Sequence, residues 1–172
     1  MAIRKILTEP DPFLRQKSLE VDNVNDETRK LMDDMLDTMY AAPGIGLAAI
    51  QIGIPKRIIV MDISKEEKKP LYFINPTILL KSKNNSTYEE GCLSVPGQFA
   101  EIDRPDKCHI NYLDYNGKPQ ELKAEGLLAT CIQHEIDHLE GILFIDYLSK
   151  LKKSFIVKKL SKQKKSLERI VV

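Results

Sequence analysis

Leu31, Met32, Met35, Leu36, Met39 and Tyr40 recur at three- and four-residue spacing, the pattern of a helix with one apolar stripe. Asn25-Asp26-Glu27 offers a side-chain cap and first-turn acids at its start, and Pro43-Gly44 ends it. The Met-rich stripe reads as core. Further on the period changes. Arg57–Ile63 is a nearly unbroken apolar run and predicts a buried strand; Leu71–Asn75 predicts another, interrupted by Pro76. The charged stretch Ser64–Lys69 turns between them. Shorter strands are expected at 86–94, 98–103, 107–115 and 119–124, with Asn116-Gly117 as a hairpin signal between the last two. Gly126 opens another helix, and Gly141 fits the position just past its end. A final helix is expected over roughly 146–165, with Leu148, Leu151, Phe155, Ile156 and Leu160 as its buried stripe. Consecutive strands and segregated helices indicate an α+β fold of short, mainly antiparallel strands around the 126–141 helix, flanked by N-terminal and C-terminal helices.

Length and composition narrow the class. A chain of 172 residues, 42% apolar, suits one domain over 1–172 with a sizeable core. No apolar segment of export type follows Met1-Ala2-Ile3-Arg4-Lys5, and no run approaches the roughly 18 residues of a membrane span. Three cysteines, an odd number, point to reduced thiols. The expected address is the cytoplasm, with no membrane partner. The net charge of +1 hides an asymmetry: nine basic residues and one acidic residue lie in 147–172, against 17 basic and 24 acidic before it. Such a basic tail is either a solvated helix face or an arm for a phosphate-rich partner.

Gly44-Ile45-Gly46-Leu47-Ala48-Ala49 matches a dinucleotide fingerprint in spacing only. That motif needs a strand before it and a long helix after it. Here a helix precedes it and Gln51-Ile52-Gly53-Ile54-Pro55 follows. Close approach of this backbone to a ligand or another strand is the better reading.

The chemistry lies in His134-Glu135-Ile136-Asp137-His138, which uses two of only three histidines. Side chains four apart on a helix stack on one face, so both imidazoles converge on one divalent metal. Glu135 then reaches the site as a general base without being a ligand. A third ligand is required. Glu140, Asp146 and Glu168 lie downstream; Cys92, Cys108 and Cys131 lie upstream. Cys131 precedes His134 by one turn and faces the pocket, Cys108 sits in a strand-like run, and Cys92 stands in an irregular segment between Gly91 and Pro96-Gly97. Leu127 and Cys131, seven and three residues before His134, share its face and imply an apolar pocket suited to an unbranched side chain such as methionine.

Three segments together, Gly44–Gln51, Glu90-Gly91-Cys92-Leu93-Ser94-Val95-Pro96 and Gln133–Gly141, closely resemble the signature motifs of bacterial peptide deformylases, in the same order and over about Ile3 to Lys165. The resemblance implies a metal-dependent hydrolase that removes the N-formyl group from the N-terminal methionine of new proteins. It implies metal ligands at Cys92, His134 and His138, with water in the fourth position, and Glu135 as proton carrier. It gives the side-chain amide of Gln51 and the backbone N–H of Leu93 to the oxyanion, and Ile45 and Gly46 to the wall of the methionine pocket beside Leu127. The implied ion is Fe2+; one thiolate and two imidazoles also suit Zn2+, Ni2+ or Co2+. Nascent N-formyl-methionyl peptides are the implied partners, with the ribosome met through the basic C-terminal helix. Gly97, Phe99 and Thr130 depart from the family pattern. The rival readings are a HExxH metallopeptidase cleaving internal peptide bonds, which would want a third His or Glu ligand downstream, and a non-catalytic metal-binding module, whose metal site would be closed.

Overall fold

The computed structural model describes residues 2–170. Helix α1 spans Asp26–Ala41, and its cap is the Asn25 side chain, which accepts from the Thr28 N–H at 3.0 Å. Strands β1 (Gly46–Ala48), β2 (Ile58–Met61) and β3 (Leu71–Lys81) follow, then β4 (Asn85–Cys92), β5 (Val95–Pro105), β6 (Lys107–Leu113) and β7 (Pro119–Glu125). Helix α2 covers Gly126–Leu139 and α3 covers Lys150–Ile170. The strands form an antiparallel sheet in the order β1-β2-β3-β6-β7 and a separate antiparallel hairpin, β4-β5. The α+β expectation holds.

The sheet is covered on both faces, which explains why β2 reads as continuous apolar sequence. Alternate residues go to opposite helices: Ile58, Val60 and Ile74 pack with Met32, Met35 and Met39 of α1. Ile59, Met61 and Phe73 face α2 through Ile132 and Ile136. A third cluster joins the hairpin to α3, with Val95 and Ile102 against Phe144 and Leu160. Helix α2 packs between the sheet and the hairpin, which places its histidine-bearing face beside the end of β4.

Three sequence expectations are corrected. Strand β3 does not stop at Pro76 but runs on to Lys81, with a register shift between Ile74 and Thr77. Asn75 absorbs the irregularity in a left-handed conformation, φ 50°, and its amide bonds the Val21 N–H and carbonyl. The C-terminal helix begins later than 146: Phe144–Tyr147 form a single 3-10 turn, and α3 starts only where the Ser149 hydroxyl accepts from the Lys152 N–H. It then runs past 165. Its buried stripe is also narrower than expected. Ile156, Val157 and Leu160 face the hairpin, whereas Leu151 and Phe155 lie on the adjacent stripe and are exposed.

Candidate metal centre

Each ligand candidate is positioned by a separate local device. His134 and His138 lie one turn apart on α2 with ring centroids 5.1 Å apart. The helix ends on schedule because Gly141 takes φ 74°, and its N–H and that of Ile142 cap the carbonyls of His138 and Asp137. No other residue fits there, since a Cβ would lie 2.4 Å from the Arg15 carbonyl oxygen. Cys92 comes from the end of β4, where the β4–β5 register shifts between Glu90 and Cys92, a bulge that re-aims the thiol. Its Sγ is 3.3 Å from His138 Nε2.

One donor atom from each of Cys92, His134 and His138 falls within 4.8 Å of the others. Ligands bound at about 2.0–2.3 Å around a tetrahedral ion stand roughly 3.5 Å apart, so the sulfur–nitrogen spacing fits such an ion. The electrostatics fit as well. Burial opposes a charge on His134, but its hydrogen bonds with Cys92 and Glu90 and the charges nearby outweigh that and raise its pKa well above the ordinary value. Burial depresses His138 well below its usual pKa and leaves it neutral, the form that ligates. The other thiols are poor candidates: burial pushes Cys131 up to about 12 and raises Cys108. Downstream carboxylates are engaged elsewhere, Glu140 with Arg57 and Lys17, and Asp146 with Arg15 and Lys153.

Behind the histidines stands a charge network that the sequence did not announce. Glu90 Oε1 accepts from His134 Nδ1 at 2.8 Å, which turns the lone pair of Nε2 toward the cluster. Arg104 holds the same carboxylate with two bonds, 2.7 and 3.0 Å, and reaches Asp137 at 2.8 Å. Tyr147 closes the far end by donating to Asp137 at 2.7 Å, with its ring 4.9 Å from the guanidinium. Burial alone would raise the Glu90 pKa, but the bonds from His134 and Arg104 hold it below its usual value. A buried pair of this kind is costly to break from one side. The alternation of Glu90 with Cys92 along β4 was a readable signal; nothing local marked Arg104.

The same region opens into a cavity of about 470 Å³ lined by Ile45, Gly46, Gln51, Cys92, Leu93, Leu127, His134 and Glu135, among others. His138 lies behind it, fully buried. Glu135 is buried with Oε2 free of any hydrogen-bond partner among the described residues, and burial pushes its carboxyl up to about 7. Gly46 makes room for it, since a Cβ there would lie 2.4 Å from Glu135 Oε1. Gln51 is buried in the turn after β1. Its side-chain Oε1 accepts from the Ala48 N–H at 2.9 Å, so the NH2 end faces the cluster. That nitrogen is 3.0 Å from Ser94 Oγ and 3.6 Å from Cys92 Sγ. The N-terminal segment ties the two loops together, with the Leu7 N–H on the Gln51 carbonyl and the Glu9 N–H on that of Ser94. Leu127 is 43% exposed, so it belongs to the cavity mouth and not to the core.

Comparison with known proteins agrees with this arrangement. A family model described as polypeptide deformylase matches residues 3–154. A peptide deformylase from Pelagibacter ubique is 71% identical over 174 aligned positions, covering 100% of both chains. One from Maricaulis maris is 61% identical over 171 positions and 98% of each chain. The crystal structure of peptide deformylase from Ehrlichia chaffeensis in complex with actinonin superposes with a TM-score of 0.91 at 47% identity, over 95% of this chain and 98% of that one. The Legionella pneumophila structure gives 0.91 at 46%, over 98% and 99%.

Proposed function

This chain belongs to the polypeptide deformylase family, and on that premise we propose the residue roles, metal and setting of its chemistry. It is a metal-dependent hydrolase that removes the N-formyl group from the N-terminal methionine of nascent peptides. Endopeptidase action of the HExxH type is not favoured, because among the described residues no downstream carboxylate joins the histidines.

In this reading Cys92, His134 and His138 hold the ion. When bound, it supplies Lewis acidity at the formyl carbonyl and makes water acidic enough to ionise near neutrality. The residues do the rest. Glu135 accepts the proton of the attacking water and returns it to the α-amine that leaves as formate separates. Burial, which raises that carboxyl above its ordinary value, eases its uptake of the proton. The Gln51 NH2 group, fixed by its bond from Ala48, and the Leu93 N–H in the turn after Cys92 receive the charge that develops on the formyl oxygen. Ile45, Gly46 and Leu127 line the side where the methionine chain enters. Glu90 orients His134, and Arg104 holds Glu90. The observation that carries the reading is the convergence of one thiol and two imidazoles beside a buried glutamate in an open cavity.

Ferrous iron is the ion we propose, on the family resemblance; the donor set also suits Zn2+, Ni2+ or Co2+. We propose a single catalytic domain over 1–172; the family match covers 3–154, and the alignment with the Pelagibacter ubique relative covers the whole chain. The cytoplasm, where peptide deformylases act on nascent chains, is the proposed setting; no helix among the described residues is long and apolar enough to cross a membrane. The exposed lysines of α3 are the proposed contact with the ribosome. Metal analysis of anaerobically purified protein, with kcat/KM for formyl-Met-Ala-Ser and acetyl-Met-Ala-Ser, tests the core of the reading. The acetyl methyl would crowd Gly46 and Gln51, and displacement of the carbonyl by about 1 Å costs on the order of 10²-fold. A formyl preference below about tenfold would show a site not built around the formyl group, because even a tolerated methyl changes rates about 10- to 200-fold.

A further inference from the structure

One buried carboxylate holds both ends of a loop that walls the catalytic cavity. Residues 42–45 join α1 to β1, and Pro43, Gly44, Ile45 and Gly46 all line the cavity. At the far end the backbone N–H of Asp62, the residue after β2, donates to the Ile45 carbonyl at 2.9 Å. At the near end the Asp62 side chain reaches the helix: its Oδ2 accepts from the hydroxyl of Tyr40, in the last turn of α1. Its Oδ1 is fixed by the Ser64 N–H at 2.9 Å and by the Ser64 hydroxyl. Asp62 is only 4% exposed. A carboxylate buried to that depth is a costly source of stability, but three donors in set directions define its place closely. The loop so held presses on the chemistry. A Cβ on Gly44 would lie 2.6 Å from Leu93 Cδ1, just as one on Gly46 would lie 2.4 Å from Glu135 Oε1. Bare backbone therefore packs directly on the proposed oxyanion residue and on the proposed proton carrier, and close packing passes any drift of the loop to them.

We propose that Tyr40 and Asp62 are positioning residues that set the distance of the 43–46 wall from Leu93 and Glu135. This rests on the deformylase reading and extends it to a pair outside the cavity, since neither residue is among those lining it. Both therefore act only through the wall. Displacement of a reacting group by about 1 Å costs on the order of 10²-fold, so a wall released by about half that should cost about tenfold in kcat. KM should stay within about threefold, because the groups that move are those that act on the reacting carbonyl.

The test is Tyr40→Phe, which removes one hydroxyl, in Fe2+-loaded protein kept anaerobic, with formyl-Met-Ala-Ser as substrate and kcat expressed per bound ion. That ratio separates positioning from stability: a variant that merely unfolds loses metal and activity together and keeps its kcat per ion. Tyr40→Phe should hold its metal and lose about tenfold in kcat per ion. The double variant Tyr40→Phe/Asp62→Leu, apolar on both sides, should regain thermal midpoint lost in the single variant and still turn over slowly. Tyr115→Phe removes a bond of the same kind, 3.1 Å to Asp33 of α1 and outside the cavity lining, and should match wild type. Wild-type kcat per ion in Tyr40→Phe, recovery of kcat along with the midpoint in the double variant, or an equal loss in Tyr115→Phe would each overturn the positioning role alone. A metal-loaded wild type that leaves formyl-Met-Ala-Ser intact would overturn the deformylase reading and the positioning role with it.

Discussion

Replacement of Gly46 by alanine should disable the proton carrier while leaving the metal site and the fold intact. The new Cβ would lie 2.4 Å from Glu135 Oε1, whereas ordinary contact begins at 3.4 Å, so the carboxylate must withdraw by about 1 Å. Backbone strain is not the cause: Gly46 is a strand residue paired with Met61, outside the left-handed region. Gly→Ala at a compatible position even gains about 0.4–1 kcal/mol through the unfolded chain. Misplacement of a reacting group by about 1 Å can cost on the order of 10²-fold, or about 2.7 kcal/mol in activation free energy. That lies at the lower edge of the roughly 10²- to 10⁴-fold contributed by acid–base catalysis. Metal content should stay near wild type, because Glu135 is not among the clustered donors. Steady-state kinetics on formyl-Met-Ala-Ser, with metal measured on the same samples, reads both quantities. A double-mutant cycle sharpens the test: once Glu135→Gln has removed the carrier, adding Gly46→Ala should cost less than about threefold. Near-wild-type kcat in Gly46→Ala, loss of metal in step with activity, or additive losses in the cycle would each refute the account.

Cys92→Ser should lose metal occupancy, since a hydroxyl is a far weaker ligand than a thiolate; full occupancy by elemental analysis would mean another third ligand. Glu90→Gln should weaken metal retention by about 10- to 100-fold in chelator competition, because it removes the charge shared by His134 and Arg104; unchanged retention would dismiss the orienting role. The Arg4 guanidinium, then the Ala2 N–H, hold the buried Asp34 carboxyl below its ordinary value, so this stabilisation is present above about pH 4 and fades as pH falls through the lower folded value. Arg4→Met should therefore raise the midpoint of acid unfolding, and an unmoved midpoint would discard the linkage. Serine at Lys158, Lys159 and Lys162, all exposed on α3, should weaken low-salt ribosome binding while formyl-peptide hydrolysis persists; equal binding in cosedimentation would remove the docking proposal.

The sequence carried the local half of this molecule and little of the distant half. The α1 stripe, the helix stop at Gly141 and the two imidazoles on one face of α2 follow from spacing within a few residues, and the structure has them as spacing requires. The failures occurred where a partner far along the chain decides the outcome. Pro76 looks like a terminator until Asn75 absorbs the kink through hydrogen bonds to Val21, 54 positions away. Leu151 and Phe155 fit an amphipathic stripe as well as Ile156 and Leu160 do; only docking on the hairpin selects which pair is buried. Arg104 reads as an ordinary surface arginine in a strand, yet it is 3% exposed because Glu90 and Asp137 converge on it.

That buried arginine explains why a histidine pair alone would be an incomplete site. Two imidazoles one turn apart can each rotate and each carry the proton on either nitrogen. Glu90 removes this freedom at His134 by accepting from Nδ1, but an unpaired carboxylate buried to that depth would protonate instead. Arg104 keeps it ionised, and Asp137 and Tyr147 compensate the guanidinium in turn. Asp137 and His134 belong to the same pentad on α2, while Glu90 and Arg104 belong to the two strands of the hairpin. The network thus clamps the hairpin to the helix through charge, and the same clamp sets Cys92, two residues from Glu90, against His138. Orientation of one proposed ligand and placement of another are consequences of a single buried ion-pair network. Loss of Glu90 should therefore disturb both the His134 tautomer and the Cys92 position, and so weaken metal retention more than loss of one hydrogen bond would.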